Sequence, residues 1–211
     1  MNAEDLEHHQ RKCIYRKVFC PRTYSSPSHL PSYLKKCQIN KILFKDVIEH
    51  LETAHTCRDY GEKNQIFRFF GTDNIGFENG AKNGFCWAVG KFATSCGAVF
   101  FTSAKILKNT GGEKRCYFWA TFMGSSDEAE NYSSSISIGN KIGKFCFTGK
   151  VHTIDEGADD IIASGLLLSI EINAAKRLLN EEKKLKVEFT IRNLKEEAKD
   201  EDIESGISDG E

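Results

Sequence analysis

From Ser133 to Lys150 the chain reads Ser133-Ser134-Ser135-Ile136-Ser137-Ile138-Gly139-Asn140-Lys141-Ile142-Gly143-Lys144-Phe145-Cys146-Phe147-Thr148-Gly149-Lys150. Short runs of alternating apolar and polar residues, separated by a Gly-Asn turn signal, predict two antiparallel strands, Ser133–Ile138 and Lys144–Lys150. The same texture extends outward to Gln65 on one side and to about Leu194 on the other. Further strands are expected at Ile66–Phe70, Phe85–Val89, Ala98–Leu107, Arg115–Phe122, Leu166–Ile170 and Leu185–Arg192. Asn79-Gly80, Asn83-Gly84 and Asn109-Thr110-Gly111-Gly112 supply further turns. Eight strands at this spacing predict a mainly β chain built on an antiparallel two-sheet sandwich. Two short helices should interrupt it, at Asp127–Asn131 and at Asn173–Asn180, the second capped by Asn173.

Bulk properties set the frame for this reading. Of 211 residues, 40% are hydrophobic and 28% charged, which allows one sizeable core and a small appended module. The net charge of −1 gives no general attraction to nucleic acid or to an anionic membrane. The opening run Met1 to His9 lacks the apolar centre of a secretion signal, and no later stretch approaches membrane-spanning length. The cytoplasm is therefore the expected compartment, with the nucleus as a second one. In that reducing setting, cysteines are read as metal ligands or core residues before disulfides.

Before residue 58 the texture is different. Five of six histidines, four of eight cysteines and all three prolines lie there. One helix is expected, about Leu43 to Ala54, where Phe44, Val47, Ile48 and Leu51 fall on one face and Lys45, Asp46, Glu49 and Glu52 on the other. The chain thus divides into 1–60, a metal-organised segment; 65–194, the sandwich; and 195–211, a solvated tail with eight acids against two lysines.

The pattern Cys20-x16-Cys37-x12-His50-x4-His55 offers two thiolates and two imidazoles, the ligand set of a structural tetrahedral Zn²⁺. One zinc site is expected. The gap between Cys20 and Cys37 is longer than the usual two to four residues, so an inserted loop must bulge out between them. Residues five apart on a regular helix point about 140° apart, so His55 should lie where the helix loosens. His29 and Cys57 stand as substitutes for a named ligand. His9-x3-Cys13 has the form of half of a second, degenerate site, expected to be empty; recruitment of Cys13 by the complete site is the competing reading.

The run His9-x3-Cys13 through Tyr15-Arg16-Lys17-Val18-Phe19-Cys20-Pro21, followed by Lys45-Asp46-Val47-Ile48-Glu49-His50-Leu51-x3-His55, resembles the zinc-finger segment of seven-in-absentia (Sina/SIAH-type) ubiquitin ligases. Phe118-x-Ala120-Thr121-Phe122-Met123-Gly124-Ser125-Ser126-x2-Ala129-Glu130-Asn131-Tyr132 and Thr148-Gly149-x3-Thr153-Ile154-x-Glu156-Gly157 resemble that family's substrate-binding domain, a TRAF-like β-sandwich. The resemblance implies a SIAH-type finger followed by an eight-stranded, commonly dimeric sandwich that presents substrates for ubiquitin transfer.

Two departures from the family pattern matter. Family members carry a RING ahead of the fingers, whereas this chain starts inside the first finger; the expectation is an inactive chain when alone, reaching a ubiquitin-conjugating enzyme through a separate RING-bearing chain. The family's peptide groove lies beside the first sandwich strands and binds an extended degron. Thr72, Trp87 and Val89 are the peptide-binding candidates by resemblance, but Cys86 stands where the family has an acidic residue, and Trp87 and Val89 as core filling is an equal reading. The implied partners are substrate proteins and a second Sina-type chain, as homodimer or heterodimer.

Three functional classes follow. The first is the substrate-recognition and dimerisation part of a Sina-type ligase in ubiquitin-dependent degradation, or its alternative, a RING-less adaptor or competitor. The second is a nucleic-acid-binding finger, against which Asp46, Glu49 and Glu52 on the helix argue. The third is an enzyme with its own thiol nucleophile; Cys86, Cys96, Cys116 and Cys146 have no activating context, so no catalytic residue is assigned.

Overall fold

The computed structural model describes residues 3–21, 41–55, 57–59, 65–69, 86–93, 97–108, 111–181 and 185–196. All eight expected strands are present: β4 (Gln65–Phe69), β5 (Cys86–Ala93), β6 (Val99–Lys108), β7 (Lys114–Phe122), β8 (Tyr132–Gly139), β9 (Lys144–Lys150), β11 (Leu168–Glu171) and β12 (Leu185–Asn193). Four shorter ones join them: β1 (Lys17–Phe19), β2 (Lys41–Leu43), β3 (Arg58–Asp59) and β10 (His152–Thr153). Two or three residues carry no readable alternation, which is why the sequence does not announce them.

One sheet runs β4-β12-β8-β9, antiparallel throughout. The other runs β10-β7-β6-β5-β3, with β11 also pairing β7. The two-residue strands at its ends, β10 on β7 and β3 on β5, pair in parallel. Inner faces of the two sheets meet in a core that includes Phe100, Ile106, Phe118, Ile136, Ile138, Leu185, Val187 and Phe189. Phe100, Phe122 and Tyr132 contribute an aromatic trio with centroids 5.1–5.2 Å apart.

Strand β6 has no solvent face over most of its length, since Phe100 through Ile106 are all buried. Its second face is covered by two separate packings. Helix α4 (Ala158–Ser164) lays Ala158 and Ile161 on Trp119 of β7, with Leu167 beside them. Lys105 keeps its charge in this cover by reaching Asp159 at 2.9 Å. The N-terminal unit supplies the second cover, through a cluster in which Val18, Cys20, Ile42, Val47 and Leu51 pack on Phe101 and Ile154.

The remaining helices are α1 (Ala3–Lys12), α2 (Val47–His55, entered through a 3₁₀ turn at Phe44–Asp46), α3 (Ser126–Ala129) and α5 (Ile172–Arg177). Helix α2 fits the periodicity of its apolar face. Helix α3 starts at a capping box, in which the Ser125 hydroxyl accepts from the Glu128 amide and the Glu128 carboxylate accepts from the Ser125 amide. The expected Asn cap of α5 is corrected: Glu171, the last residue of β11, precedes the helix, no side chain caps it, and Asn173 lies inside. Burial of Ile172 and Ala175 fixes that start instead. Helices α1 and α4 were not anticipated. The first has no apolar stripe, only basic residues in its last turn that suit the helix dipole. The second is closed by Gly165 at φ 70°, a left-handed position that favours glycine. Among the described residues no helix is long and apolar enough to cross a membrane.

Candidate metal centre

β1 and β2 form a two-stranded antiparallel ladder that pairs Lys17 with Leu43, Val18 with Ile42 and Phe19 with Lys41. The alternation Lys-Val-Phe points Val18 inward, and the chain leaves β1 directly into Cys20, which is wholly buried. After β2, the 3₁₀ turn delivers α2, whose Val47 and Leu51 pack on the same cluster. This packing turns the C-terminal half of α2 toward Cys20.

The result is a convergence of three ligand atoms. Cys20 Sγ lies 3.3 Å from His50 Nε2 and 3.4 Å from His55 Nε2, and the two imidazole nitrogens are 3.1 Å apart. At ordinary zinc–ligand lengths, a tetrahedron has edges of about 3.3 Å between imidazole nitrogens and about 3.6 Å between nitrogen and thiolate. The observed triangle is within a few tenths of an ångström of one face of such a tetrahedron. Its chemistry agrees: burial lowers the pKa of His50 from its ordinary 6.5, favouring the neutral imidazole that ligates. Cys20, His50 and His55 can therefore hold a metal ion.

His55 is the last residue of α2, and 6% exposed. Beyond it the amide of Cys57 donates to the carbonyl of Leu51 at 3.0 Å, reaching back six residues rather than four. The helix itself stays α-helical through His55, so the expected loosening falls after that residue and not at it. Cys37 lies outside the described residues. Cys57 packs on the edge of the cluster without joining the ligand triangle. His9 is exposed on α1, and Cys13, half-buried just after α1, offers its carbonyl to the Arg16 amide; neither joins the triangle.

Arg16 clamps this unit to the sandwich, and nothing in its sequence context announced it. Its guanidinium lies 3.9 Å from the centre of the Phe44 ring and donates to Asp155, to the Gly124 carbonyl and to the Cys13 carbonyl, each at 3.3 Å. Cys13 is local, but Gly124 and Asp155 lie more than a hundred residues away, so only the folded structure assembles the set. A small cavity at the same junction is lined by Phe19 and Pro21 on one side and by Ser103, Trp119, Thr121, Ile154 and Glu156 on the other.

Of the peptide-binding candidates, Trp87 and Val89 lie on β5, where Trp87 pairs with Ala104 of β6 and the register shifts between Trp87 and Gly90. Thr72 lies outside the described residues. The thiol alternatives differ in setting. Cys116 is buried in the sandwich core, where desolvation pushes its pKa up to about 12, opposite to nucleophile activation. Cys146 is exposed on β9, Cys86 lies on β5, and Cys96 is outside the described residues. The one sandwich histidine, His152, is buried between the Glu156 carboxylate at 2.9 Å and the Leu166 carbonyl at 2.8 Å. Burial, the largest influence on Glu156, raises its pKa, but hydrogen bonds from His152 and the Thr153 amide outweigh it and the net shift is downward.

Against known families, residues 93–201 match the family model described as Sina, TRAF-like domain. The chain belongs to the Sina family. The Sina match begins at the last residue of β5 and takes in every later strand, so the two-sheet sandwich is a Sina-type TRAF-like domain and protein partners are its general class of ligand. The metal triangle and strands β1–β4 precede the Sina match. No curated protein matches the chain.

Proposed function

We propose that this chain is the substrate-recognition part of a Sina-type ubiquitin ligase: Zn²⁺ held by Cys20, His50 and His55 with Cys37 as the fourth ligand, and a sandwich that takes an extended peptide of its partner along β5, near Trp87, Val89 and Thr72. The observation that carries the reading is the Sina, TRAF-like match over residues 93–201. The convergent Cys-His-His triangle supports the metal half. When bound, zinc would supply a fixed cross-link between β1 and α2; all contact with substrate would fall to the sandwich. Ubiquitin transfer itself would come from a RING, and self-association through the sandwich would double the valency for substrate. A chain that binds substrate away from a RING would act as adaptor or competitor. The cytoplasm, and secondarily the nucleus, is where such a reaction would be met.

The test is reconstitution. Purified chain added to a ubiquitin-conjugating mixture with a RING-bearing Sina-type ligase and its substrate should change the rate of substrate modification, and Trp87→Asp should abolish the change. An unaltered rate at saturating chain, with folding verified, would sink the recognition role.

A further inference from the structure

Peptide addition to β5 requires a free length of strand edge, and the fold marks where that length ends. One edge of β5 is paired with β6. On the opposite edge β3 is paired in parallel, Arg58 with Gly90 and Asp59 with Lys91. Among the described residues no strand pairs with that edge over Cys86–Val89. Because the pairing is parallel, the chain that leads into β3 approaches from the Cys86–Val89 side.

That chain comes from the metal triangle. His55 is three residues before Arg58, a length that extended chain spans in about 10 Å, so the position of one restricts the other. Between them, Cys57 is fixed by its amide bond to Leu51 and by packing on the cluster that holds Cys20. β3 itself is only two residues long. Ordering two residues costs more than a pair of exposed backbone hydrogen bonds returns, so such a strand stays in place only when its neighbours are already held.

Resting on the strand-addition reading above, we propose that metal occupancy at Cys20, His50 and His55 locks β3 onto Gly90–Lys91, making β3 a metal-controlled stop that confines an added peptide to the Cys86–Val89 half of β5. Loss of the metal removes the tie between β1 and the end of α2. The last turn of α2 then opens, β3 leaves, and the edge lies open beyond Val89.

Hydrogen exchange on the full chain tests this, with zinc per chain counted by native mass spectrometry before and after EDTA. Stripping zinc should raise exchange of the amides at 58–59 and 90–91 by about tenfold or more, against less than about twofold in β8 and β12. Asp59→Pro, which leaves all three ligands in place but removes a backbone donor, should raise exchange at 90–91 to the stripped level with zinc content unchanged. Unchanged exchange at 58–59 and 90–91 in verified zinc-free protein would overturn the coupling, as would an equal rise throughout the sandwich; so would wild-type exchange at 90–91 in Asp59→Pro. Failure of any peptide to bind the zinc-loaded chain, with the exchange response intact, would instead remove the recognition reading and leave the coupling standing.

Discussion

The two ends of this molecule solve the same problem with different means. Among the described residues, the sandwich gathers nineteen buried side chains from its sheets and the helices and turns between them into one core, whereas the N-terminal unit joins five of its own to Phe101 and Ile154 of the sandwich. A cluster of that size gives a small unit little apolar burial to fold on. The N-terminal unit has its neighbour's surface and a convergent ligand triangle besides, whereas the sandwich carries its own large core and takes from the N-terminal unit only the cover over Phe101 and Ile154.

Removing the proposed zinc should separate the two most sharply. Structural zinc contributes about 10–16 kcal/mol to folding of small finger peptides. EDTA, or His55→Ala, should therefore abolish protection of β1, β2 and α2 in hydrogen exchange while β8 and β12 stay protected; equal loss in both regions would erase the contrast. Next in size is the converse change. Phe118→Ala empties a fully buried site in the large core and should cost about 3–5 kcal/mol, read as a lowered urea midpoint for the whole chain.

A smaller effect should come from the seam. Arg16→Ala deletes three hydrogen bonds and a ring contact and should cost about 2 kcal/mol, with zinc retained. Its signature would be an N-terminal unit that loosens before the sandwich melts, detected as two thermal transitions in place of one. The smallest lies within the sandwich. Ser125→Ala removes the cap of α3 and should cost about 1 kcal/mol. It should also flatten the acid limb. The Ser125 amide first, then its hydroxyl, hold the Glu128 carboxyl below its ordinary 4.5, so that stabilisation is full above pH 4.5 and disappears as pH falls through the lower folded value. A mutant with an unchanged slope below pH 4.5 would show that the hydroxyl contributes nothing to it.

The two regions also differed in how far their sequences could be read. Every long strand of the sandwich was legible, because Ser133–Ile138 alternates with period two and Ala98–Leu107 is a short apolar run, each set between recognisable turns. In the N-terminal unit, residue types and spacing singled out Cys20, His50 and His55, which the structure brings together, and the apolar face of α2 gave its place. The stretches that bind the regions to each other were not legible. Arg58–Asp59 and His152–Thr153 are too short for a pattern, and Arg16 meets Gly124 and Asp155 only because β1 lies against the sandwich. Local sequence carries periodicity; it does not carry contacts between segments more than a hundred residues apart.

The order of strands in the smaller sheet governs how the molecule is made. β12 is the last strand among the described residues, yet it lies inside that sheet, between β4 and β8, pairing Phe69 with Leu185 and Ile138 with Val187. During synthesis β4 and the apolar side of β8 must wait for it, and no partial product that stops before Leu185 can close the sandwich. This sheet is thus completed only after Leu185–Asn193 has been made, through long-range pairing of the kind that takes milliseconds to seconds. A nascent chain cut short before that point would leave Ile136, Ile138 and Phe100 without their cover, and quality-control chaperones would meet it as an unfinished sheet.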